Sequence, residues 1–242
     1  MRNDHPARPS SRTGPWPAPS GQKDEPGASP SGRPTLGVVA IARNEEKDLP
    51  GFLSCLLPWV DEIVIVDDAS TDRTVEIARA AGPAVRVVSA PMDAVTGFAG
   101  QRNAGIQHAR SDWLLHMDID ERVTPALAAE ILEAIRRSGA VAFRYRRLNF
   151  FLHRPMKGGG LQRWNRIQLA RRTHAQFVYP VHELLQVEAD ESHIHQLREK
   201  MWHLNDDGYE ERLRKSRQYC MMAADDWIET GRKARWWHLL WL

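Results

Sequence analysis

Short apolar runs alternate with segments of helical periodicity from Leu36 to about residue 138, and this alternation is the feature that most restricts the fold. The predicted strands are LGVVAIA, IVIV, VRVVSA and WLLHM, which begin at residues 36, 63, 85 and 113. Apolar runs of this length are typical of strands that are buried on both faces. Strand and helix units in succession predict an α/β fold with a mostly parallel central sheet and flanking helices.

Composition divides the chain into four regions. Residues 1–34 hold eight of the 15 prolines, and without apolar periodicity they are predicted to be a disordered tail. Asp4, Asp24 and Glu25 argue against a cleaved transit peptide, because such peptides avoid acidic residues. Residues 35–139 form the first half of the predicted folded domain, residues 140–205 form a second half with a mixed sheet, and residues 206–242 are predicted to be helical.

Charge and cysteine content restrict the function and the compartment. The 33 Lys and Arg residues nearly balance 31 Asp and Glu residues, so no chain-wide basic field indicates a specific nucleic-acid partner. The two cysteines cannot build a disulfide framework, and their spacing is not that of a metal site. No run of about 18 apolar residues or secretory signal is visible, so the predicted location is cytoplasmic.

The turn after the first predicted strand is acidic rather than glycine-rich. It contains Ala42-Arg43-Asn44-Glu45-Glu46, with neither a GxGxxG fingerprint nor a GxxxxGK[ST] phosphate loop. Rossmann dehydrogenases and P-loop NTPases are therefore disfavoured. A sugar nucleotidyltransferase would also need a glycine-rich, basic loop at this point.

Carboxylates follow two of the apolar strands directly. Asp67 ends the second strand, where an unpaired carboxylate is costly unless it meets the donors of a ligand. Asp118 and Asp120 end the fourth strand, and in an extended chain they would share one face at roughly 6–7 Å. This pattern is typical of a site for Mg²⁺ or Mn²⁺ and a diphosphate. Residues 70–72 have a simpler interpretation as the cap of the following helix.

Four segments together resemble the nucleotide-sugar half of the family 2 glycosyltransferases. They are Asn44–Glu46, Val66–Asp72, Gln101–Gly105 and Asp118–Glu121, and they occur in the family's order and spacing. The resemblance covers about residues 35–138 and implies an inverting enzyme of the GT-A fold. Carried over residue by residue, the resemblance implies that the nucleoside is contacted by Ala42, Glu45 and Asp67. It also implies that Arg102 holds the nucleotide. Asp118 is then expected to contact the ribose and metal region, and Asp120 is expected to ligate the metal.

A weaker similarity continues into the second half of the chain. Val181–Glu183 and Trp202-His203 are similar to the branch of the family that acts on lipopolysaccharide core sugars. The chain departs from the family pattern at Arg43, where many members have an aromatic or small residue. Ile119 replaces a common alanine, and Ala69 replaces a common glycine.

An inverting transfer needs one further carboxylate as the general base. No acidic residue occurs between Glu133 and Glu183, so Glu183 is the first candidate, and the family resemblance points to the same residue. A structural ion pair with a nearby arginine is the alternative. The HELLQ segment lacks the second histidine of HExxH, so a zincin is not supported. Three further histidines, at 193, 195 and 203, are interpreted as ordinary surface or hydrogen-bonding residues, and no zinc is predicted.

The acid-free stretch 134–182 carries eleven Arg or Lys residues. These cations either form a solvated face or bind an anionic acceptor and the leaving diphosphate. Trp164 within the stretch either stacks on a sugar or belongs to the core. The last residues, with Arg232, Lys233 and Arg235 before a Trp- and Leu-rich end, resemble an interfacial anchor for peripheral membrane contact, or else dock as a terminal helix.

Together with the strand-end acids, the family resemblance implies a metal-assisted, inverting glycosyltransferase that moves a sugar from a nucleotide donor. The expected partners are a UDP-sugar and a glycan or lipid-linked acceptor of the cell envelope, and the expected cofactor is Mg²⁺ or Mn²⁺. The alternative is a non-catalytic basic module that binds RNA or anionic lipid through residues 134–182. That alternative gives no role to the paired Asp118 and Asp120.

Overall fold

The computed structural model describes residues 32–206 except 94, 138, 157–163 and 180–182, together with isolated residues between 209 and 231. The strands are β1 (Leu36–Ala42), β2 (Glu62–Asp67), β3 (Val85–Ser89), β4 (Trp113–Asp118), β5 (Glu121–Arg122), β6 (Ala142–Phe151), β7 (Arg154–Pro155), β8 (Asn165–Arg171), β9 (Ala175–Val178), β10 (Leu184–Val187) and β11 (Ile194–Asp206). The helices are α1 (Leu49–Leu56), α2 (Thr74–Ala80), α3 (Gly97–His108) and α4 (Pro125–Ala134).

Nearly all of the predicted N-terminal tail and the whole basic, Trp-rich C-terminal end lie outside the described residues. The predicted boundaries between regions, at residues 34, 139 and 205, stay predictions. Among the described residues, no helix is both long and apolar enough to cross a bilayer.

Within the described residues, nine strands form one sheet in the order β3-β2-β1-β4-β8-β6-β11-β5, with β7 beside β6. The four strands β3, β2, β1 and β4 are parallel to one another. Antiparallel pairing begins at β8, which lies between β4 and β6, whereas β6 and β11 are parallel. The predicted α/β class, with a parallel first half and a mixed second half, is confirmed.

Both faces of the parallel strands are buried, as their apolar runs predict. On one face, Val38 and Ala40 of β1 belong to a cluster that includes Phe52 of α1 and Ile131 of α4. On the other face, Val39 lies in a second cluster beneath α3. Burial of each large aliphatic side chain contributes about 1.5–3 kcal/mol, so the two layers hold the strand ends firmly.

Gly105 allows α3 to lie directly on the sheet. A Cβ at this position would be 2.3 Å from Cγ1 of Val39 and 3.0 Å from Cγ2 of Val66. No side chain fits that gap, because interiors are packed nearly as densely as organic crystals. The close approach brings the side chains of α3 next to the carboxyl ends of the strands.

The second half adds a hairpin that packs against α3. The strands β9 and β10 pair antiparallel in a separate two-stranded sheet. Phe177 of β9 and Leu185 of β10 pack in a small cluster with Ala99 of α3. The hairpin therefore rests on α3 from one side while the main sheet supports α3 from the other.

Candidate functional site

The carboxyl ends of β2, β1 and β4 lie side by side at one edge of the sheet. In the strand registers, Ala42 of β1 pairs with Asp67, and the preceding Ile41 pairs with Asp118. Both acids therefore flank the end of β1. The sequence-based expectation that these strand-end carboxylates face one region is met by this register.

Asp118 and Asp120 come together through a turn. Extended geometry was expected at Ile119, and this expectation is wrong, because β4 ends at Asp118 and the chain turns over the next two residues. Ile119 is buried in the core, which draws its side chain inward at the turn. Asp118, Asp120 and His203 each offer one ligand atom, and these atoms all lie within 4.8 Å of one another.

His203 of β11 is the member of this group that the sequence-based interpretation placed among ordinary histidines. Its Nε2 lies 3.3 Å from Oδ2 of Asp120, and its Nδ1 lies 2.7 Å from Oδ1 of Asn149. Burial lowers the pKa of His203, but the Asp120 carboxylate outweighs that effect and raises it above its usual value. The only sequence feature that pointed to His203 was the weak similarity at Trp202-His203.

Two arginines hold Asp118 from opposite sides. Arg102 of α3 donates from Nη2 to Oδ1 at 2.6 Å, and Arg147 of β6 donates from Nη2 to Oδ2 at 2.6 Å. Burial alone would raise the pKa of Asp118, but the two guanidinium groups hold it well below its usual range. These two arginines thus keep Asp118 ionised and oriented.

Glu121 lies beneath this group and is completely buried. Its Oε1 accepts a hydrogen bond from Nε of Arg147 at 2.6 Å, and its Oε2 accepts one from the Asp118 N–H at 2.9 Å. Burial raises the pKa of Glu121 to about 7, although Arg147 opposes this shift. No specific role was predicted for either Glu121 or Arg147, because the two residues are 26 positions apart in the chain.

Glu183 lies immediately before β10, and Arg102 connects it to the strand ends. The Nε of Arg102 donates to Oε1 of Glu183 at 3.2 Å, while its Nη2 contacts Asp118. The sequence-based alternative, an ion pair with an arginine, is therefore present, and the arginine is the one predicted to hold the nucleotide. The preceding His182 lies outside the described residues.

The loops after β1 and β2 are locked to each other. Asn44, which has a φ of 56°, accepts a hydrogen bond from the Thr71 N–H at 2.8 Å. The Glu45 N–H donates to Oγ1 of Thr74 at 2.7 Å. Asp72 accepts from the Thr74 N–H at 2.9 Å, but the N-cap of α2 is Arg73, and Ser70 and Thr71 bond to Asn44 instead. These contacts fix the positions of Ala42 and Glu45 beside the end of β2.

Asp67 and Asp68 differ in how strongly they are held. Asp68 accepts from the Met92 N–H at 2.6 Å and from Arg43 at 3.1 Å. Asp67 is also buried, but its described contacts are long ones of 3.3 and 3.4 Å from the Ser70 N–H. A buried carboxylate with such weak partners is suited to accept hydrogen bonds from a ligand.

Several arginines of the stretch 134–182 have structural roles. Arg171 lies over the ring of Trp113 and donates to the carbonyl of Ala140, and Arg172 donates to the carbonyl of Ser111. Trp164 is packed against the main core and lies 4.0 Å from the Arg147 guanidinium carbon, so it serves as packing for that arginine. The stretch is therefore not a uniform solvated basic face.

Comparison with known sequences identifies the family. Residues 37–193 match the profile described as glycosyl transferase family 2. The chain belongs to this family. Its match extends beyond the four motifs and includes Glu183, but it ends before His203.

Relatives of this family 2 glycosyltransferase include two kinds of bacterial protein. A lipopolysaccharide core biosynthesis glycosyltransferase, LpsC of Rhizobium meliloti, is 26% identical over 212 residues, which cover 85% of this chain and 76% of LpsC. An uncharacterized glycosyltransferase of Rickettsia typhi is 31% identical over 96 residues, or 40% of this chain. The matched part of this chain covers only 31% of that relative's length.

Two solved structures show that the family 2 chain has the GT-A fold. Glucosyl-3-phosphoglycerate synthase from Mycobacterium tuberculosis, in complex with Mn²⁺, UDP-glucose and phosphoglyceric acid, aligns with a TM-score of 0.52 at 19% identity, covering 72% of each chain. S. aureus TarS in complex with UDP-GlcNAc aligns with a TM-score of 0.52 at 15% identity, covering 72% of this chain and 59% of TarS. At these identities the likeness concerns the fold.

Proposed function

We propose that this chain transfers a sugar, with inversion, from a nucleoside-diphosphate sugar to a glycan or lipid-linked acceptor. The observation that carries the proposal is the group of Asp118, Asp120 and His203 at the edge where Asp67 also ends its strand. Family membership supports glycosyl transfer, and the neighbours that bind UDP-sugars support a UDP donor.

The metal group fits Mg²⁺ or Mn²⁺. The two carboxylates of the group suit Mg²⁺ or Mn²⁺, which prefer oxygen ligands, and Mg²⁺ is usually bound by one or two carboxylates with water and phosphate oxygens. Both oxygens of Asp118 already accept hydrogen bonds from arginines, so Asp120 and His203 are the principal ligands in this proposal. A cation bound there would neutralise charge on the departing diphosphate.

The nucleoside is proposed to bind beside Ala42, Glu45 and Asp67. Asp67 supports this placement because its carboxylate is buried at a strand end with only long described contacts to the Ser70 N–H. Arg102 is proposed to face the nucleotide's phosphates while it keeps Asp118 ionised. Its side chain is only 7% exposed, so its charge is little screened by water.

Glu183 is the proposed general base. Its carboxylate accepts the proton of the acceptor hydroxyl as the hydroxyl oxygen bonds to the anomeric carbon. The bond between that carbon and the diphosphate oxygen breaks in the same displacement. Arg102 supports this role because it fixes Glu183 at the same edge of the fold as Asp118.

The acceptor is proposed to be a glycan or lipid-linked sugar of the cell envelope. The LpsC relative supports a lipopolysaccharide-type acceptor by its name and by its coverage of most of this chain. Exposed Arg166, near the Glu183 carbonyl, would face an anionic acceptor. We place the protein on the cytoplasmic side, with peripheral membrane contact through residues 232–242.

Calorimetric titration with UDP-glucose, UDP-GlcNAc and GDP-mannose, each with and without Mn²⁺, tests the proposal. Metal-dependent binding of one donor is expected in the wild type and in Asp190→Asn, the exposed control. Asp120→Asn should lose the metal dependence, because it removes a proposed ligand. Donor binding with the same affinity with and without Mn²⁺, and in the wild type and Asp120→Asn, would contradict the proposal. Binding of RNA or anionic vesicles without binding of any donor would favour the basic module.

Glu183→Gln tests the base separately. We expect the enzyme-catalysed release of UDP from the bound donor to fall about 10²–10⁴-fold, because the amide cannot accept the proton. Donor affinity should stay within about twofold, since Glu183 is not proposed to bind the nucleotide. Glu188→Gln, at the other end of β10, is the matched control. An unchanged rate in Glu183→Gln would remove that residue from the mechanism.

A further inference from the structure

Asn103 of α3 binds the main chain of β9 at two points. Its Nδ2 donates to the carbonyl of Phe177 at 2.9 Å, and its Oδ1 accepts from the N–H of Phe177 at 2.8 Å. In a sheet, a neighbouring strand would make the same two hydrogen bonds to the carbonyl and the N–H of Phe177. The side-chain amide of Asn103 thus replaces a strand on the edge of β9 that faces α3.

The hairpin formed by β9 and β10 needs this support. Phe177 pairs with Leu185 across the hairpin, and an isolated two-stranded sheet is only marginally stable in water. The ring of Phe177 is buried, with its centroid 4.8 Å from that of His116 and 5.3 Å from the guanidinium carbon of Arg102. Both the backbone and the side chain of Phe177 are therefore held by the donor-side half.

Glu183 is connected to the same helix by the adjacent residue. Arg102 precedes Asn103 in α3 and donates to the Glu183 carboxylate at 3.2 Å. One turn of helix thus contacts the hairpin backbone at Phe177 and the carboxylate that stands where β10 begins. Their relative position is fixed only if the hairpin cannot slide along α3.

We propose that Asn103 is a positioning residue for Glu183. The proposal rests on the proposed function, in which Glu183 is the base. By fixing the backbone of β9 on α3, Asn103 sets the distance between Glu183 and the strand ends where the donor would bind. Asn103 itself touches neither substrate nor metal in this proposal.

A displacement of about 1 Å at a reacting group can reduce a rate about 10²-fold. We therefore expect Asn103→Ala to lower the rate of UDP release from UDP-glucose and Mn²⁺ by about 10–100-fold. Donor affinity should remain within about twofold, because Asp67 ends a strand of the main sheet and the Asp120 carbonyl accepts from the Leu204 N–H of β11. Gln107→Ala removes an exposed amide from the same helix and should leave the rate unchanged.

A second variant separates position from hydrogen bonding. Asn103→Gln keeps both polar groups but is longer by one methylene, which would shift the hairpin relative to α3. Resistance to urea should recover in Asn103→Gln relative to Asn103→Ala, while the rate stays low. Recovery of the rate together with stability would show a merely structural role and overturn the proposal.

Hydrogen exchange of the full-length chain supplies a measurement that is independent of turnover. In Asn103→Ala, the Phe177 amide should exchange about tenfold faster or more, while amides of β1 and β2 stay as protected as in the wild type. Unchanged exchange at Phe177 would overturn the proposal.

Glu183→Gln, measured in parallel, distinguishes the proposed role of Glu183 as base from the proposed positioning of Glu183 by Asn103. A full rate in Glu183→Gln would overturn both the base and its positioning. A loss in Glu183→Gln with a full rate in Asn103→Ala would overturn only the positioning by Asn103.

Discussion

The carboxylates of the candidate site are held by two different kinds of support. Asp67 and Asp118 end strands of a nine-stranded sheet among the described residues, with apolar clusters on both faces. Glu183 immediately precedes a strand of a separate two-stranded hairpin, which is held to α3 by side-chain contacts. The carboxylates at the strand ends are therefore fixed by the main core, whereas the hairpin beside Glu183 is fixed by a small apolar cluster and a few polar contacts.

Arg147 connects the two halves directly, because this residue of the second half forms ion pairs with Asp118 and Glu121 of the first half. Arg147→Met leaves buried Glu121 without its cation and removes one of the two guanidinium groups on Asp118. Breaking a buried ion pair typically costs about 3–5 kcal/mol. We expect the free energy of unfolding to fall by about 3 kcal/mol, the lower end of this range, since Arg147 is 12% exposed. Urea unfolding followed by circular dichroism measures the change.

Arg146→Met, at the neighbouring position of β6, should change stability by less than about 0.5 kcal/mol. Adding Glu121→Gln to Arg147→Met should restore part of the loss, because the buried charge is removed with its partner. Equal stability of the two arginine variants would show that the donor-side acids do not depend on Arg147.

His203 joins the two halves at the proposed metal group, and Asn149 orients it. With Nδ1 of His203 paired to Asn149, the other ring nitrogen, Nε2, faces Asp120. Outer partners of metal-ligating histidines typically contribute about 10–100-fold to metal affinity. Asn149→Leu should weaken Mn²⁺ binding by that factor in titrations with UDP-glucose present. Asn165→Leu is the exposed control, and equal Mn²⁺ affinity in both variants would contradict the orienting role.

The first half of the fold could be predicted because its strands are buried on both faces. Residues such as Val38 and Val39 point to opposite clusters, so the whole run is apolar and easily recognised. Acidic residues that follow such runs are then placed at one edge by parallel pairing alone. The positions of Asp67 and Asp118 were predictable for this reason.

The second half was less predictable because its contacts join distant segments. β11 pairs with β6 through an irregular register between Gln196 and Lys200, so its apolar alternation is interrupted. His203 and Asn149 meet only through that pairing, and no local spacing encodes it. The turn at Ile119 was missed because a DxD segment reads equally well as extended chain.

The smallest expected effect is at Glu130, whose side chain connects α4 to β11 and has no described contact with the hairpin. Its carboxylate accepts the N–H groups of Arg198 at 3.0 Å and Glu199 at 2.8 Å. Burial raises the pKa of Glu130, but these N–H groups outweigh burial and lower it below its usual value. A lowered pKa stabilises the folded state above the unfolded pKa of about 4.3, and this contribution is lost as the pH falls.

Glu130→Gln should therefore lower the free energy of unfolding by about 1 kcal/mol at pH 7, and the difference from wild type should shrink below about pH 4. Urea unfolding at several pH values measures it, with Glu133→Gln on the exposed side of the same helix as the control. A difference that does not change with pH would mean that the charge of Glu130 is not what holds β11. The rate of UDP release should stay unchanged in this variant, because the hairpin beside Glu183 is tied to α3 rather than to α4.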